Sequence, residues 1–234
     1  MDMKLAGWTI AFDLDGTLVD TAPDLHAALN HCLTQSRYKP VPFDEIRAMI
    51  GQGAKAMIVK GLKFQGVIPT DAELEALWEA FLVYYRAHIS DLSAPYPGVL
   101  ETLETLSNRG ATIGVCTNKT QALAEQLLEG LGLSEKFSCI VGADAVAHQK
   151  PDGRHILDMI TRADGQAERA IMVGDSTTDE RAARDAGLPF IFVEFGYGPA
   201  PDRTGIWSVD HWSRMLAAIL EIVDQAASAV STGR

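Results

Sequence analysis

Trp8-Thr-Ile-Ala-Phe-Asp13-Leu-Asp15-Gly16-Thr17-Leu18-Val19-Asp20 is the segment from which the architecture follows. An apolar run, Ile10 to Phe12, leads into two carboxylates, a glycine and a threonine. A short apolar run of this kind predicts a strand buried in a parallel sheet. Open α/β sheets bind ligands beyond the carboxyl ends of their strands, so Asp13 and Asp15 face a site. One residue separates the two acids, and Gly16 lets the backbone turn behind them, so both can converge on one point. Their repulsion is costly unless something positive lies between them. A hard divalent cation held by oxygens, magnesium, meets that need. Taken alone, D-x-D-G fits a strand ending in an acidic turn equally well. The rest of the chain separates the two readings.

The chain has 234 residues, room for one large domain or two small ones with ample core. Its net charge is −11, from 31 acids against 20 lysines and arginines. That balance argues against nucleic acid or an anionic membrane as partner, since both need a basic surface. A small anionic substrate remains open if a few cations gather locally. No apolar run approaches the roughly 20 residues that span a bilayer. The apolar N-terminal stretch is broken by Asp13 and Asp15, which does not fit a signal peptide. Cys32, Cys116 and Cys139 are scattered, with no metal-ligand spacing, and read as reduced, packed thiols. The cytoplasm is the expected compartment. A monomer or small homo-oligomer is expected.

After the opening strand, Asp20-Thr-Ala-Pro23 starts a helix that runs to about Gln35. Helices are expected over Phe43–Ile50 and Ala54–Phe64, broken by Gly51-Gln52-Gly53. Thr70-Asp-Ala-Glu73 caps a long helix reaching about Ile89. Two prolines and a glycine in Ser93-Ala-Pro-Tyr-Pro-Gly98 mark a turn and hinge. Beyond it strands and helices alternate. Strands are expected at 111–117, 137–141, 170–173 and 189–193, and a terminal helix at about 211–227 with a fraying tail. Alternation implies a parallel sheet with right-handed crossovers. The fold class is therefore α/β, a Rossmann-like parallel sheet interrupted after its first strand by an all-helical insertion. The expected division is a core of residues 1–19 and 96–234, and a helical unit of residues 20–95.

Four motifs fall at equivalent places, near the carboxyl ends of strands. They are Asp13-Leu-Asp15-Gly16-Thr17, Thr117-Asn118, Lys150-Pro151 and Gly174-Asp175-Ser-Thr-Thr-Asp179. Each residue type suits phosphoryl transfer. Asp13 can attack phosphorus. Asp15 can protonate the departing alkoxide and then take a proton from water. A metal shared by Asp13 and Asp175 would screen carboxylate from phosphate. Lys150 supplies fixed positive charge. Thr117 and Asn118 offer a hydroxyl and an amide to the transferring oxygens. Asp179, four residues after Asp175, is expected behind the metal, orienting it or Lys150. Singly, each motif has an ordinary explanation as a helix cap, a surface lysine or helix N-terminal acids. Their joint order makes chance a poor one.

The four motifs and the helical insertion resemble the haloacid dehalogenase superfamily of phosphohydrolases, over nearly the whole chain. The resemblance implies a sheet ordered 5-4-1-2-3 and an insertion acting as a cap. It implies Asp13 as nucleophile, Asp15 as acid/base, and Thr117 and Lys150 as phosphate ligands. Asp175 would be the metal aspartate, and the backbone carbonyl of Asp15 a further magnesium ligand. Dehalogenases and phosphonate-cleaving relatives replace the second aspartate, so Asp15 argues against those activities. Asp15-Gly-Thr-Leu-Val-Asp-Thr21 and Arg47-Ala-Met-Ile-Gly51-Gln-Gly53 are most similar to phosphoglycolate phosphatases. On that basis Gly51 and Gly53 are expected substrate-binding residues of the cap, and Arg47, the cap cation nearest that turn, is expected to recognise the carboxylate of a short acidic ester directly or by bracing the turn. A phosphosugar mutase, which also keeps Asp15, is the alternative enzyme, as is a phosphatase for another small metabolite. Receiver domains cluster similar residues but lack an insertion and are about half as long.

Overall fold

The structure is a computed structural model and describes residues 3–51 and 53–232. Strand β1, Thr9–Phe12, is followed by the two-residue strand β2, Val19–Asp20. Four helices come next: α1 Ala22–Gln35, α2 Phe43–Ile46, α3 Ala54–Phe64 and α4 Asp71–Ala87. The chain returns through β3, Ala94–Pro95, and helix α5, Val99–Asn108. From there strands and helices alternate: β4 Thr112–Cys116, α6 Gln121–Gly130, β5 Cys139–Val141 and α7 Arg154–Arg162. They continue as β6 Ala170–Gly174, α8 Thr177–Asp185, β7 Phe190–Val193 and β8 Trp207–Val209, closing with α9, Met215–Thr232.

The main sheet has the order β5-β4-β1-β6-β7-β8, and every pairing in it is parallel. Counted among core strands, this is the expected 5-4-1-2-3 with a sixth strand, β8, added outside the fifth. All four residues of β1 are buried because strands flank it and helices cover both faces. Successive side chains point to opposite faces. Ile10 and Phe12 join one apolar cluster with Ile171, Val173 and Leu103. Ala11 joins the other with Met172, Ile156 and Ala182.

The helical segment leaves and rejoins the sheet through paired linkers. Strands β2 and β3 are antiparallel, with Val19 opposite Pro95 and Asp20 opposite Ala94. Asp24, in the first turn of α1, accepts hydrogen bonds from Ser93 N at 2.7 Å and Ser93 Oγ at 2.6 Å. Its carboxylate is 1% exposed, so this clasp has little competition from water. The expected hinge at Ser93–Gly98 is thus held to the outgoing linker rather than being a free turn. Within the segment, α1 and α3 both pack on α4. Thr70 and Glu73 form the expected capping box of α4.

Two helix expectations need correction. The helix expected over Phe43–Ile50 is four α-helical residues followed by a 3-10 turn, Arg47–Met49. The final helix starts at Met215, after a 3-10 turn at Trp212–Arg214, and runs to Thr232 rather than fraying after residue 227. Ala226, Ala227 and Ala229 favour helix across the expected end, and Ser228 Oγ donates back to the Asp224 carbonyl at 2.8 Å. Of the Gly51-Gln52-Gly53 turn, Gln52 lies outside the described residues.

Candidate active site

Three adjacent parallel strands bring their carboxyl ends to one edge, and each is followed at once by a polar residue. Asp13 follows β1, Thr117 follows β4 and Asp175 follows β6. Their backbones are fixed by the neighbouring strands: Asp13 N donates to Val173 O at 2.9 Å, and Thr117 N to Val141 O at 3.0 Å. Gly16 closes the first turn at a φ of +80°, where a side chain would be strained and would collide with Asp175 Oδ2.

Lys150 enters from the connection between β5 and α7. Its side chain is 2% exposed, and its Nζ lies 2.9 Å from Asp13 Oδ1 and 2.6 Å from Asp179 Oδ1. Asn118 positions that connection by donating from Nδ2 to the Lys150 carbonyl at 2.8 Å. Its Oδ1 is buried without a hydrogen-bond partner among the described residues. Asp179 sits in the first turn of α8. There its carboxylate accepts from Ser176 Oγ at 2.6 Å and from Ser176 N at 3.1 Å, a capping box with Ser176 as the cap. Gly174 lets this carboxylate pack against the strand end, since a Cβ there would overlap it.

Among the described residues, Asp13, Asp175 and Asp179 each place a carboxylate oxygen within 4.8 Å of the others. Burial raises the pKa of Asp13 to about 6; the charge and hydrogen bond of Lys150 oppose the rise without cancelling it, and Asp179 and Asp15 add to it. Burial likewise raises Asp175, helped by Asp179 and Asp13, while donation from Tyr197 N and Gly198 N works against it. Three buried carboxylates share one ammonium, so the cluster lacks positive charge. An all-oxygen, anionic and underneutralised set fits a hard divalent cation. Asp179 completes this cluster. The Asp15 side chain does not take part: its Oδ1 accepts from Thr21 Oγ1 at 2.7 Å and lies 3.1 Å from Lys119 Nζ.

The strand ends and the helical segment enclose a cavity of 770 Å³. Its floor carries Asp13, Asp15, Thr117, Asn118, Lys150, Asp175 and Asp179. Gly51, Gly53, Met57, Lys60, Trp78, Phe81, Tyr85 and Arg86 line it from the helical side. Among the described residues, that side lines the cavity with two cations, Lys60 and Arg86, and no carboxylate. Arg47 is not among the lining residues. Its guanidinium lies 3.8 Å from Asp20 Oδ2 and 5.5 Å from the centre of the Tyr197 ring, at the linker. The 3-10 turn that begins at Arg47 turns Ala48 and Ile50 toward the cavity instead.

Two site residues are absent from the sequence reading. Lys119 directly follows Thr117-Asn118, and its side chain is 5% exposed. Burial opposes its charge, but Asp15 and the Tyr85 hydroxyl together outweigh burial and raise its pKa. Tyr197 donates from its backbone to Asp175 Oδ2 at 2.6 Å, and its hydroxyl bonds Asp20 and accepts from Ala22 N. The Gly196-Tyr-Gly198 triplet just after β7 was the available clue. Burial pushes the Cys116 thiol up to about 12, so it is no thiolate nucleophile beside the site.

A family described as haloacid dehalogenase-like hydrolase matches residues 10–193. A phosphoglycolate phosphatase of Caulobacter vibrioides is 48% identical over 201 residues, 86% of this chain and 84% of that protein. One from Agrobacterium fabrum is 48% identical over 190 residues, 81% of this chain and 82% of its own. Among solved structures, a predicted phosphoglycolate phosphatase from Haemophilus somnus superposes with a TM-score of 0.83 at 28% identity, covering 91% of this chain and 97% of that one. With its strand-end carboxylates, buried lysine and helical insertion, the chain belongs to the haloacid dehalogenase-like hydrolase family.

Proposed function

We propose that this protein is a magnesium-dependent phosphomonoesterase that hydrolyses 2-phosphoglycolate through an aspartyl phosphate on Asp13. The observation that carries the reaction type is the Asp13 carboxylate, set on the central strand end between Lys150 and Thr117 and open to the cavity. Support for the substrate comes from the phosphoglycolate phosphatases that are 48% identical to this chain over the matched residues, and from the cationic helical side of the cavity.

Asp13 attacks phosphorus, and the bond from phosphorus to the ester oxygen breaks. Asp15 gives its proton to the departing alkoxide, so glycolate leaves neutral at that oxygen. Asp15 then takes a proton from water, which attacks the phosphoryl group, frees phosphate and restores Asp13. Lys150 holds Asp13 and lets a carboxylate approach a phosphate dianion. Asp13, Asp175 and the Asp15 carbonyl would hold magnesium, with Asp179 within reach. Bound there, it neutralises phosphoryl oxygens and carboxylates together. We assign residues 20–95 as the cap and residues 1–19 and 96–234 as the core. The core grips the phosphate, and the cap recognises the other end of the ester. The free thiols Cys32, Cys116 and Cys139 suit a reducing compartment such as the cytoplasm.

Phosphate release from a set of phosphorylated metabolites, with magnesium and with EDTA, tests this reading. We expect 2-phosphoglycolate to give the highest kcat/KM and EDTA to abolish turnover. Conversion of a hexose 1-phosphate to its 6-phosphate without phosphate release would mean a mutase instead.

A further inference from the structure

Asp15 is gripped on one oxygen from two directions. Thr21, at the N-terminal end of α1, donates from Oγ1 to Asp15 Oδ1 at 2.7 Å. Lys119 Nζ lies 3.1 Å from that same oxygen. The Lys119 ammonium also donates to the Tyr85 hydroxyl of α4 at 2.9 Å and sits 4.9 Å from the centre of that ring. Tyr85 is 1% exposed, and its ring lies 5.5 Å from that of Phe81. A buried ammonium is costly unless its donors are matched. Lys119 meets this cost with one partner from the core, Asp15, and one from the helical segment, Tyr85. The hydrolysis described above leaves Lys119 without a task.

We propose that Lys119 is a positioning residue for Asp15, and that Tyr85 makes this hold depend on α4 being seated against the core. This rests on Asp15 being the acid/base. With Thr21 and Lys119 both on Oδ1, Oδ2 is the oxygen left for the ester oxygen and then for water. Lys119 fixes which oxygen transfers the proton and where it stands. Tyr85 fixes Lys119 in turn, so a shift of α4 is felt at Asp15 without any contact between substrate and α4.

The test compares two neutral-tailed esters, glycerol 2-phosphate with a basic alkoxide and p-nitrophenyl phosphate, whose leaving group needs no proton. Neither carries a carboxylate that Lys119 could bind. Asp15→Asn first sets the reference: a large kcat loss on the alkyl ester, with the first-turnover burst of nitrophenol kept. Lys119→Met is expected to reproduce that pattern at about ten- to a hundredfold, part of a general acid/base contribution, with KM little changed. Lys119→Arg restores most of the loss. Tyr85→Phe, which removes only the hydroxyl, gives a smaller loss of the same kind and serves if Lys119→Met does not fold. In the Asp15→Asn background Lys119→Met adds nothing, because it acts through a group already removed.

Losses that multiply in the double variant, or that fall on KM, would overturn the positioning role. An unchanged Tyr85→Phe would overturn the dependence on α4. If Asp15→Asn slows first-turnover release of both leaving groups alike, the acid reading fails and the positioning role falls with it.

Discussion

Replacing Lys150 by methionine keeps the length of the side chain and removes its charge. In the native site that charge lies 2.9 Å from Asp13 Oδ1 and 2.6 Å from Asp179 Oδ1, with the lysine side chain 2% exposed. At an effective dielectric near 20, each contact is worth about 6 kcal/mol of attraction, most of it offset by desolvating the charges. What remains on removing one partner of such a group is a loss of about 3–5 kcal/mol, because the carboxylates stay behind. Against a total stability of about 5–15 kcal/mol this is large. Urea unfolding in EDTA at about pH 7.5 should show it as a lower midpoint at unchanged slope. Asp13 and Asp175 already have raised pKa values. Losing the cation raises them further, so the native state binds more protons than the unfolded chain. The deficit therefore grows as pH rises and shrinks toward about pH 5. A loss below about 1 kcal/mol at the higher pH, or one independent of pH, would refute the reasoning that Lys150 neutralises this cluster.

Metal-free Asp175→Asn should be more stable than wild type near neutral pH, by on the order of 1–3 kcal/mol. Burial raises the Asp175 carboxyl from 3.8 to about 7, so its ionisation opposes folding across that window, and the lead should vanish toward the lower end in pH-dependent unfolding. Magnesium should raise the Tm of wild type and leave that of Asp175→Asn nearly unchanged, which calorimetry with and without EDTA checks. Lys60→Ala should cost about ten- to a hundredfold in kcat/KM on 2-phosphoglycolate while sparing a neutral aryl phosphate. Arg47→Ala, at the linker, should cost less than about tenfold and equally on both esters. The reverse pattern would place the recognition charge at Arg47.

The parts of the fold that were legible are those where local pattern and tertiary demand agree. The run Ile10 to Phe12 ends in acids because a central parallel strand is buried on both faces and opens on a site. Thr70 and Glu73 begin α4 where the side chains satisfy each other's backbone donors. Strand β8 was illegible because three residues, half-exposed at a sheet edge, carry no period. The β2–β3 pairing was illegible for the same reason, each strand being two residues long. In the site, Asp13, Thr117 and Asp175 could be placed from strand ends alone. Lys150 was legible as a cation for phosphoryl transfer but not as a neighbour of Asp13, because it reaches that residue from a connection whose path depends on tertiary packing. Lys119 and Tyr197 were missed because their partners, Asp15, Tyr85, Asp20 and Asp175, lie on other elements. Arg47 was placed near the cavity by sequence distance from Gly51, but a 3-10 turn rotates it to the linker.

The central claim is that Asp13 carries the phosphoryl group. Rapid quenching of wild-type enzyme during turnover of 2-phosphoglycolate, followed by proteolysis and mass spectrometry, measures this directly. The account predicts a phosphoryl adduct on the peptide containing Asp13, labile to hydroxylamine as an acyl phosphate is, and missing from Asp13→Asn, which should also have no turnover. An adduct on another residue, or full turnover by Asp13→Asn, would contradict it.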